Sequence, residues 1–274
     1  MSSLAKKLHT LRNTLQVFGP LTAGRATLAE MLSPRFDDQR FDRQFGTETS
    51  ARLSVLASQL PPELRDDARS YEPTVEPVMR HLLRRLPIRY EDFVFVDAGC
   101  GKGRAMLLAS LYPFARIIGI ELSSITSHVA QRNVGAFAEH AGPRQKCTRI
   151  EVVCRNILEF TLPDANLVVF LYNPFQGAIF QAFMDRIHHF SSRHPEREII
   201  IAYCNPWSGE EWLQRSGRFR KSHEHCVIPR NQSWVLWRPV PSAAAPPREE
   251  RRVRAAQGGR ATAMDLSSGN DPRY

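Results

Sequence analysis

No apolar run in this chain approaches the ~20 residues that a membrane-spanning helix needs. The first stretch, MSSLAKKLHTLRNTLQVF, has early lysines but neither a long apolar segment nor a small-residue cleavage site. It is expected to form an amphipathic helix rather than a signal peptide, with Leu4, Leu8, Leu11 and Leu15 on one face. Cysteine is sparse, and C-x-x-C pairs are missing: Cys100, Cys147, Cys154, Cys204 and Cys226 are scattered. That spacing disfavours a disulfide framework or a zinc site and suits buried free thiols in a reducing cytoplasm. A dense Lys/Arg block with interleaved aromatics is also missing. The formal charge of +9 admits acidic partners such as nucleic acid or anionic lipid, but the basic residues are dispersed and some sit in the last stretch. Direct nucleic-acid binding is therefore the weaker reading. No internal repeat is visible, and the sequence leaves the oligomeric state open.

The chain has 274 residues, 42% of them hydrophobic, enough for one α/β domain with appendages. Its organising stretch is Phe93 to Ala109, FVFVDAGCGKGRAMLLA. A run of mostly β-prone apolar residues, Phe93 to Val96, meets Asp97 and then three alternate glycines, Gly99, Gly101 and Gly103. A helical pattern carried by Ala105, Met106, Leu108 and Ala109 follows. This is a buried strand, a tight glycine turn and a helix N-terminus. Such a turn lets a ligand approach bare backbone and offers free N–H groups. The dinucleotide fingerprint G-x-G-x-x-G does not fit, because Arg104 or Met106 falls where its third glycine belongs.

Downstream the pattern alternates βαβα. Expected strands are Arg116–Leu122, Thr148–Cys154, Asn166–Tyr172 and Arg197–Cys204, with helices over Ser124–Glu139 and through Ile179, Phe180, Phe183, Met184, Ile187 and Phe190. Near-continuous apolar runs suit a parallel sheet covered on both faces. A short helix, Ser208–Ser216, precedes two strands, Arg218–Pro229 and Ser233–Val240, joined at Arg230-Asn231-Gln232. Ahead of the sheet, Thr74 is expected to N-cap a helix striped by Val75, Val78, Met79, Leu82, Leu83 and Leu86, with Pro77 in its first turn. Earlier still, helices are expected over Ala23–Leu32 and Ala51–Gln59, with another short one ending near Ser70. The polar segment Phe36–Ser50 reads as a surface loop pinned by phenylalanines, or as a lid. The division is a helical extension or lid over 1–70, a sheet domain over 71–240 and a disordered tail over 241–274, too poor in large apolar residues to fold.

The register D-x-G-x-G-x-G, Asp97 to Gly103, resembles the first motif of class I S-adenosylmethionine-dependent methyltransferases. The terminal antiparallel hairpin agrees with that family. The resemblance covers about residues 71 to 239. It implies a Rossmann-like seven-stranded sheet, mostly parallel, and S-adenosyl-L-methionine as cofactor. By resemblance, Asp97, Gly99, Gly101 and Gly103 approach the methionine part, and Glu121 takes the ribose hydroxyls. Asn156 bonds the adenine amino group with Ile157 on its face. Tyr71 and Thr74 cover the cofactor, as residues upstream of the fold do in N6-adenine and Dot-type histone-lysine enzymes.

Asn173-Pro174-Phe175 resembles the [DN]-P-P-[YF] motif of amino-group methyltransferases, although one proline is missing and the aromatic comes one place early. The resemblance implies that Asn173 orients a nitrogen acceptor with Pro174 and Phe175 beside it. The acceptor itself (protein, nucleic acid or small molecule) is not named by the sequence. A second such triplet, Asn205-Pro206-Trp207, ends the fifth strand, so Tyr172, Tyr203 and Trp207 are candidates for a substrate pocket. Lys102 and Arg104 read as solvent-exposed or helix-packing residues. His223, His225 and Cys226 alternate along a strand without a third ligand of suitable spacing, so no metal is expected. The competing readings are a non-catalytic partner-binding module and a dinucleotide-dependent oxidoreductase.

Overall fold

The computed structural model describes residues 38–54, 60, 65–206, 209–225 and 233–241. Five strands form a parallel sheet: β1 (Phe93–Ala98), β2 (Arg116–Glu121), β3 (Ile150–Cys154), β4 (Asn166–Tyr172) and β5 (Ile199–Cys204). Two more complete it, β6 (Phe219–His225) and β7 (Trp234–Pro239), with β7 antiparallel to both β5 and β6. The order is β3-β2-β1-β4-β5-β7-β6. This is the Rossmann-like, seven-stranded, mostly parallel sheet with an antiparallel end that the sequence implied.

Two cores flank it. Alternate strand residues, among them Phe95, Ile117, Phe170 and Ala202, pack one face against α1 (Asp38–Phe45), α2 (Glu76–Arg85), α3 (Arg104–Ala109) and Phe137 of α4 (Ser124–Ala141). Their neighbours Val96, Ile118, Val169 and Ile201 pack the other face against Phe180, Phe183, Met184 and Ile187 of α5 (Gly177–Arg193) and Leu213 of α6 (Glu210–Arg215). A period-2 alternation in which both faces are apolar is why the strands read as unbroken hydrophobic runs. β3 is the exception. It stands at the sheet edge, and its residues are only half-buried or exposed. Cys154 at its end is consequently exposed, whereas Cys100, Cys147 and Cys204 are the buried free thiols expected.

Several expectations change. The segment around residues 38–50 is not a surface loop: Asp38–Phe45 is a helix, and Phe41 and Phe45 are buried against Phe137, with ring centroids 6.0 Å and 4.6 Å from it. Spaced four apart, the two rings share one helical face and bury against the sheet domain. Residues 51–54 are not helical; Leu53 pairs through its backbone with Tyr71. Val75, not Thr74, occupies the N-cap of α2 and makes no side-chain cap bond, with Pro77 in the first turn as expected. β1 runs two residues past its apolar run, taking Asp97 and Ala98 into the ladder beside Gly119 and Phe170. The expected helices at 4–15 and 23–32, the hairpin turn at 230–232, Trp207, Cys226 and the tail beyond 241 lie outside the described residues. Among the described residues no helix is long and apolar enough to cross a membrane.

Candidate active site

The carboxyl ends of β1, β2 and β4 open into one cleft of about 1040 Å³ including its mouth. Open α/β sheets bind ligands at such ends, where strand order reverses. Here the reversal lies between β1 and β4. Asp97, Gly99, Gly101, Glu121, Asn156, Tyr71, Thr74, Asn173, Pro174 and Phe175 all line this cleft. Gly103 does not. It sits at the N-cap of α3 with φ 88°, and a Cβ there would come within 3.4 Å of Ala130, so its task is to start the helix close against α4.

The turn after β1 is tethered to β2: the N–H groups of Gly99 and Cys100 both donate to the Ile120 carbonyl, at 2.9 Å and 3.0 Å. Gly99 and Gly101 adopt φ 82° and 54°, which favours glycine. Both are also closely approached by other parts of the chain. A Cβ on Gly99 would lie 2.4 Å from Pro174, and one on Gly101 would lie 2.2 Å from the Tyr71 ring. The glycines therefore seat the two covers of the cleft as well as leaving backbone bare.

Asp97 is buried, and its Oδ2 has no hydrogen-bond partner among the described residues. Burial, and then the nearby charge of Glu121, push its carboxyl up to about 8. Glu121 closes β2. Its Oε2 accepts the Gly101 N–H and its Oε1 the Ser123 N–H, each at 2.8 Å. Burial raises this carboxyl above its ordinary range, and the Ser123 and Gly101 N–H groups partly offset the rise. Two neighbouring acids held in a low-dielectric wall, with one oxygen unpartnered, make a place for a cation and for hydroxyl or ammonium donors.

Asn156 lines the same cleft, but its Oδ1 already accepts the Leu158 N–H at 3.0 Å, a local turn bond. Ile157 beside it is buried and offers an apolar wall. Tyr71 reaches over the glycine turn, and its hydroxyl donates to the Thr49 carbonyl at 2.7 Å. Burial pushes that phenol far above its usual range.

At the end of β4, Asn173 has φ 50°, and at the end of β5 so does Asn205. Among the described residues these are the two non-glycine positions with positive φ, and a proline follows each. The Tyr203 hydroxyl donates to Asn173 Oδ1 at 3.4 Å. Phe175 lines the cleft, yet its ring is buried edge-on against Phe183 at 5.8 Å and its backbone bridges Ala68. It therefore belongs to the second core and is not presented as a free platform for an acceptor.

Lys102 and Arg104 depart furthest from expectation, since both are buried, at 5% and 2% exposure. Lys102 pairs with Glu48 at 3.2 Å, and Arg104 donates to Thr49 and Ser50. A signal for this was present. A cation immediately after the glycine turn, on a helix otherwise wholly apolar, needs polar company, and Asp42, Glu48, Thr49 and Ser50 in the upstream segment supply it. The bulge in β6 lies between Lys221 and His223, before the two histidines, and the His225 ring is tilted against His81 and stacked on Trp234. The one group of His and carboxylate side chains close enough to share a cation among the described residues is Asp164, His194 and Glu196. It lies in the loops before β4 and β5, where Arg197 already bonds Asp164.

No protein-family model matches the chain, and no curated protein matches it in sequence. Solved structures do align with it. An RNA methyltransferase from Salinibacter ruber in complex with S-adenosyl-L-homocysteine is 16% identical over 64% of this chain and 97% of its own, with a TM-score of 0.41. A ribosomal protein L11 methylase from Lactobacillus delbrueckii subsp. bulgaricus is 11% identical over 67% and 84%, with a TM-score of 0.45. A protein in the NADB-Rossmann superfamily from Streptococcus agalactiae is 13% identical over 61% and 70%, with a TM-score of 0.43. Likeness at these levels assigns neither ligand nor reaction to this chain.

Proposed function

We propose that this chain is an S-adenosylmethionine-dependent methyltransferase that places the methyl group on a nitrogen. The buried carboxyl of Asp97, whose Oδ2 has no hydrogen-bond partner among the described residues, carries the reading. A dinucleotide would bring its pyrophosphate to this turn, where Asp97 and Glu121 add negative charge as they ionise. An amino-acid-bearing nucleoside brings an ammonium instead, which Asp97 accepts. Arg104, moreover, stands in place of the fingerprint's third glycine and is buried under the upstream segment.

The residues present fit the cofactor. Asp97 would hold the ammonium, the Gly99–Gly101 backbone the methionine chain, and Glu121 the ribose hydroxyls with the acceptor capacity left beside its two N–H bonds. Ile157 would pack on the adenine. Asn156 would accept from the adenine amino group with the lone pair of its oxygen left beside the Leu158 N–H bond. Tyr71 and Thr74 would close the cleft from the upstream side as a lid. When bound, the cofactor supplies a sulfonium-activated methyl group, so the protein's task is alignment and exclusion of water. Asn173 would align the acceptor. Tyr203 holds its amide oxygen from below, leaving that oxygen one further lone-pair direction for an acceptor N–H. An acceptor amine held by its hydrogen keeps its own lone pair free to attack. Pro174 and the left-handed backbone of Asn173 fix the direction of that amide.

The unpaired cysteines suit a reducing compartment, and we place the protein in the cytoplasm. The test is a screen with radiolabelled S-adenosylmethionine across protein, nucleic-acid and small-molecule pools, with mass spectrometry of the labelled product. Methyl on nitrogen is the expected result. Methyl on oxygen or carbon alone would defeat the nitrogen assignment. Cofactor binding without turnover on any pool would favour a non-catalytic module.

A further inference from the structure

The hydrogen bonds that Arg104 makes upstream are not used in the reading above, yet they are costly to build. A buried guanidinium is tolerated only when its donors are satisfied. Nε donates to Thr49 Oγ1 at 2.7 Å and Nη2 to Ser50 Oγ at 2.8 Å, with Asp42 Oδ1 3.9 Å from Nη2. The Phe41 ring centroid lies 5.3 Å from the guanidinium carbon. Asp42 in turn accepts the N–H and hydroxyl of Thr49, at 2.9 Å and 2.6 Å, and those of Ser50, at 2.7 Å and 2.6 Å. Burial opposes the charge on Asp42, but the bonds from Ser50, Thr49 and Thr47 outweigh it and hold the carboxyl below its usual range.

What this cluster immobilises is the backbone of Thr49, whose carbonyl accepts the Tyr71 hydroxyl. Tyr71 is held again by its own N–H, which donates to the Leu53 carbonyl at 2.8 Å. Its ring rests on Gly101, three positions before Arg104. The contacts make a closed ring: glycine turn, Arg104, Thr49, Tyr71, and back to the turn.

We propose that Arg104, Thr49 and Asp42 are positioning residues that fix Tyr71 as a wall of the cleft and so set cofactor affinity; Thr49 and Asp42 stand behind the cleft lining, and Arg104, which reaches that lining, acts through Thr49. The inference rests on the S-adenosylmethionine reading. Thr49→Val removes one hydroxyl at constant shape, Arg104→Lys removes the forked donor, and Tyr71→Phe cuts the hydroxyl link with little change in shape. Calorimetric affinity for S-adenosylhomocysteine should fall about tenfold in Thr49→Val and Arg104→Lys, the scale of one hydrogen bond to a charged group. In a Tyr71→Phe background the same changes should cost less than about twofold, because the link they act through is gone. Thr49→Ser should restore affinity. Urea midpoints should drop equally in both backgrounds, which separates positioning from general destabilisation. In ligand-free protein, hydrogen exchange at the Tyr71 amide should quicken about tenfold in Thr49→Val.

Equal affinity losses in both backgrounds would overturn the proposal. So would wild-type affinity in every variant, or unchanged exchange at Tyr71. If wild-type protein binds no S-adenosylhomocysteine, the cofactor reading fails and this inference falls with it. That outcome is distinct from wild-type binding with indifferent variants, which defeats the positioning role alone.

Discussion

At the end of β1 the left-handed backbone of the turn is carried by three glycines; at the end of β4 the same backbone is carried by an asparagine ahead of a proline. The first turn is tied down on all but its cleft side, where Gly99 is exposed. Its carbonyls and N–H groups are tied to β2, α4 and Glu121, its two cations are buried, and one carboxylate oxygen is left over. The second is held from beneath by Tyr203 and from the side by residues 66–68: Gln176 donates from its backbone to Asp67 and from its side chain to Asp66. A non-glycine residue in the left-handed region costs roughly 1–2 kcal/mol, less for asparagine than for others. The β1 turn thus has an unpartnered carboxyl oxygen, and the β4 turn has backbone strain. A buried carboxyl held protonated for want of a partner calls for a cationic donor that can replace its proton, whereas a strained backbone calls for a fixed direction. We read the first as the cofactor end and the second as the acceptor end.

Substitutions can separate the two ends. Asp97→Asn should have the largest effect, lowering S-adenosylhomocysteine affinity by about 3 kcal/mol, since an unpaired ammonium would then be buried; calorimetry reads it. Asn173→Ala should lower kcat on the order of 10²-fold while cofactor affinity stays within about twofold, as single-turnover rates on the identified acceptor would show. If Asn173→Ala instead weakens cofactor binding, the division between the ends is wrong. Glu121→Ala should cost roughly 1.5–3 kcal/mol of cofactor affinity, the scale of charged hydrogen bonds, without altering the acceptor's KM. Asn205→Gly should change the urea-derived stability by less than about 1 kcal/mol, because relief of the left-handed backbone and loss of chain stiffness oppose each other.

How much of this was legible in the sequence follows the same division. The sheet was readable because strands buried on both faces are unbroken apolar runs, and β4 was placed residue for residue. β1 was read short because Asp97 does not look like strand, although it pairs on both sides. The cofactor end was legible because glycines and acids at fixed spacing are a one-dimensional pattern. Gly103 was grouped with the other glycines because spacing does not separate a ligand-facing turn from a helix start. The upstream cover reads as a loop or a lid, and its helix is missed, because its order comes from contacts more than 50 positions away, such as Thr49 to Arg104, that no local pattern encodes. Phe175 lines the cleft as the resemblance implies, and its edge-on contact with Phe183 is a packing role that the triplet alone does not show.

The central claim is that Asp97 awaits a cation. Its carboxyl is raised to about 8, so below that pH the ligand-free folded protein holds a proton there that the unfolded chain has released above its ordinary value. The stability this proton contributes is full below about pH 4 and declines as pH climbs towards 8. Binding an ammonium needs the carboxylate charged, so the ligand must expel that proton. Calorimetry of S-adenosylhomocysteine in pairs of buffers with different ionisation heats measures this directly. The account predicts release approaching one proton per ligand near pH 6.5, fading above about pH 9, with affinity rising across that interval and Asp97→Asn abolishing the linkage. Binding without proton release in the wild-type protein, or binding of NAD in preference, would contradict it.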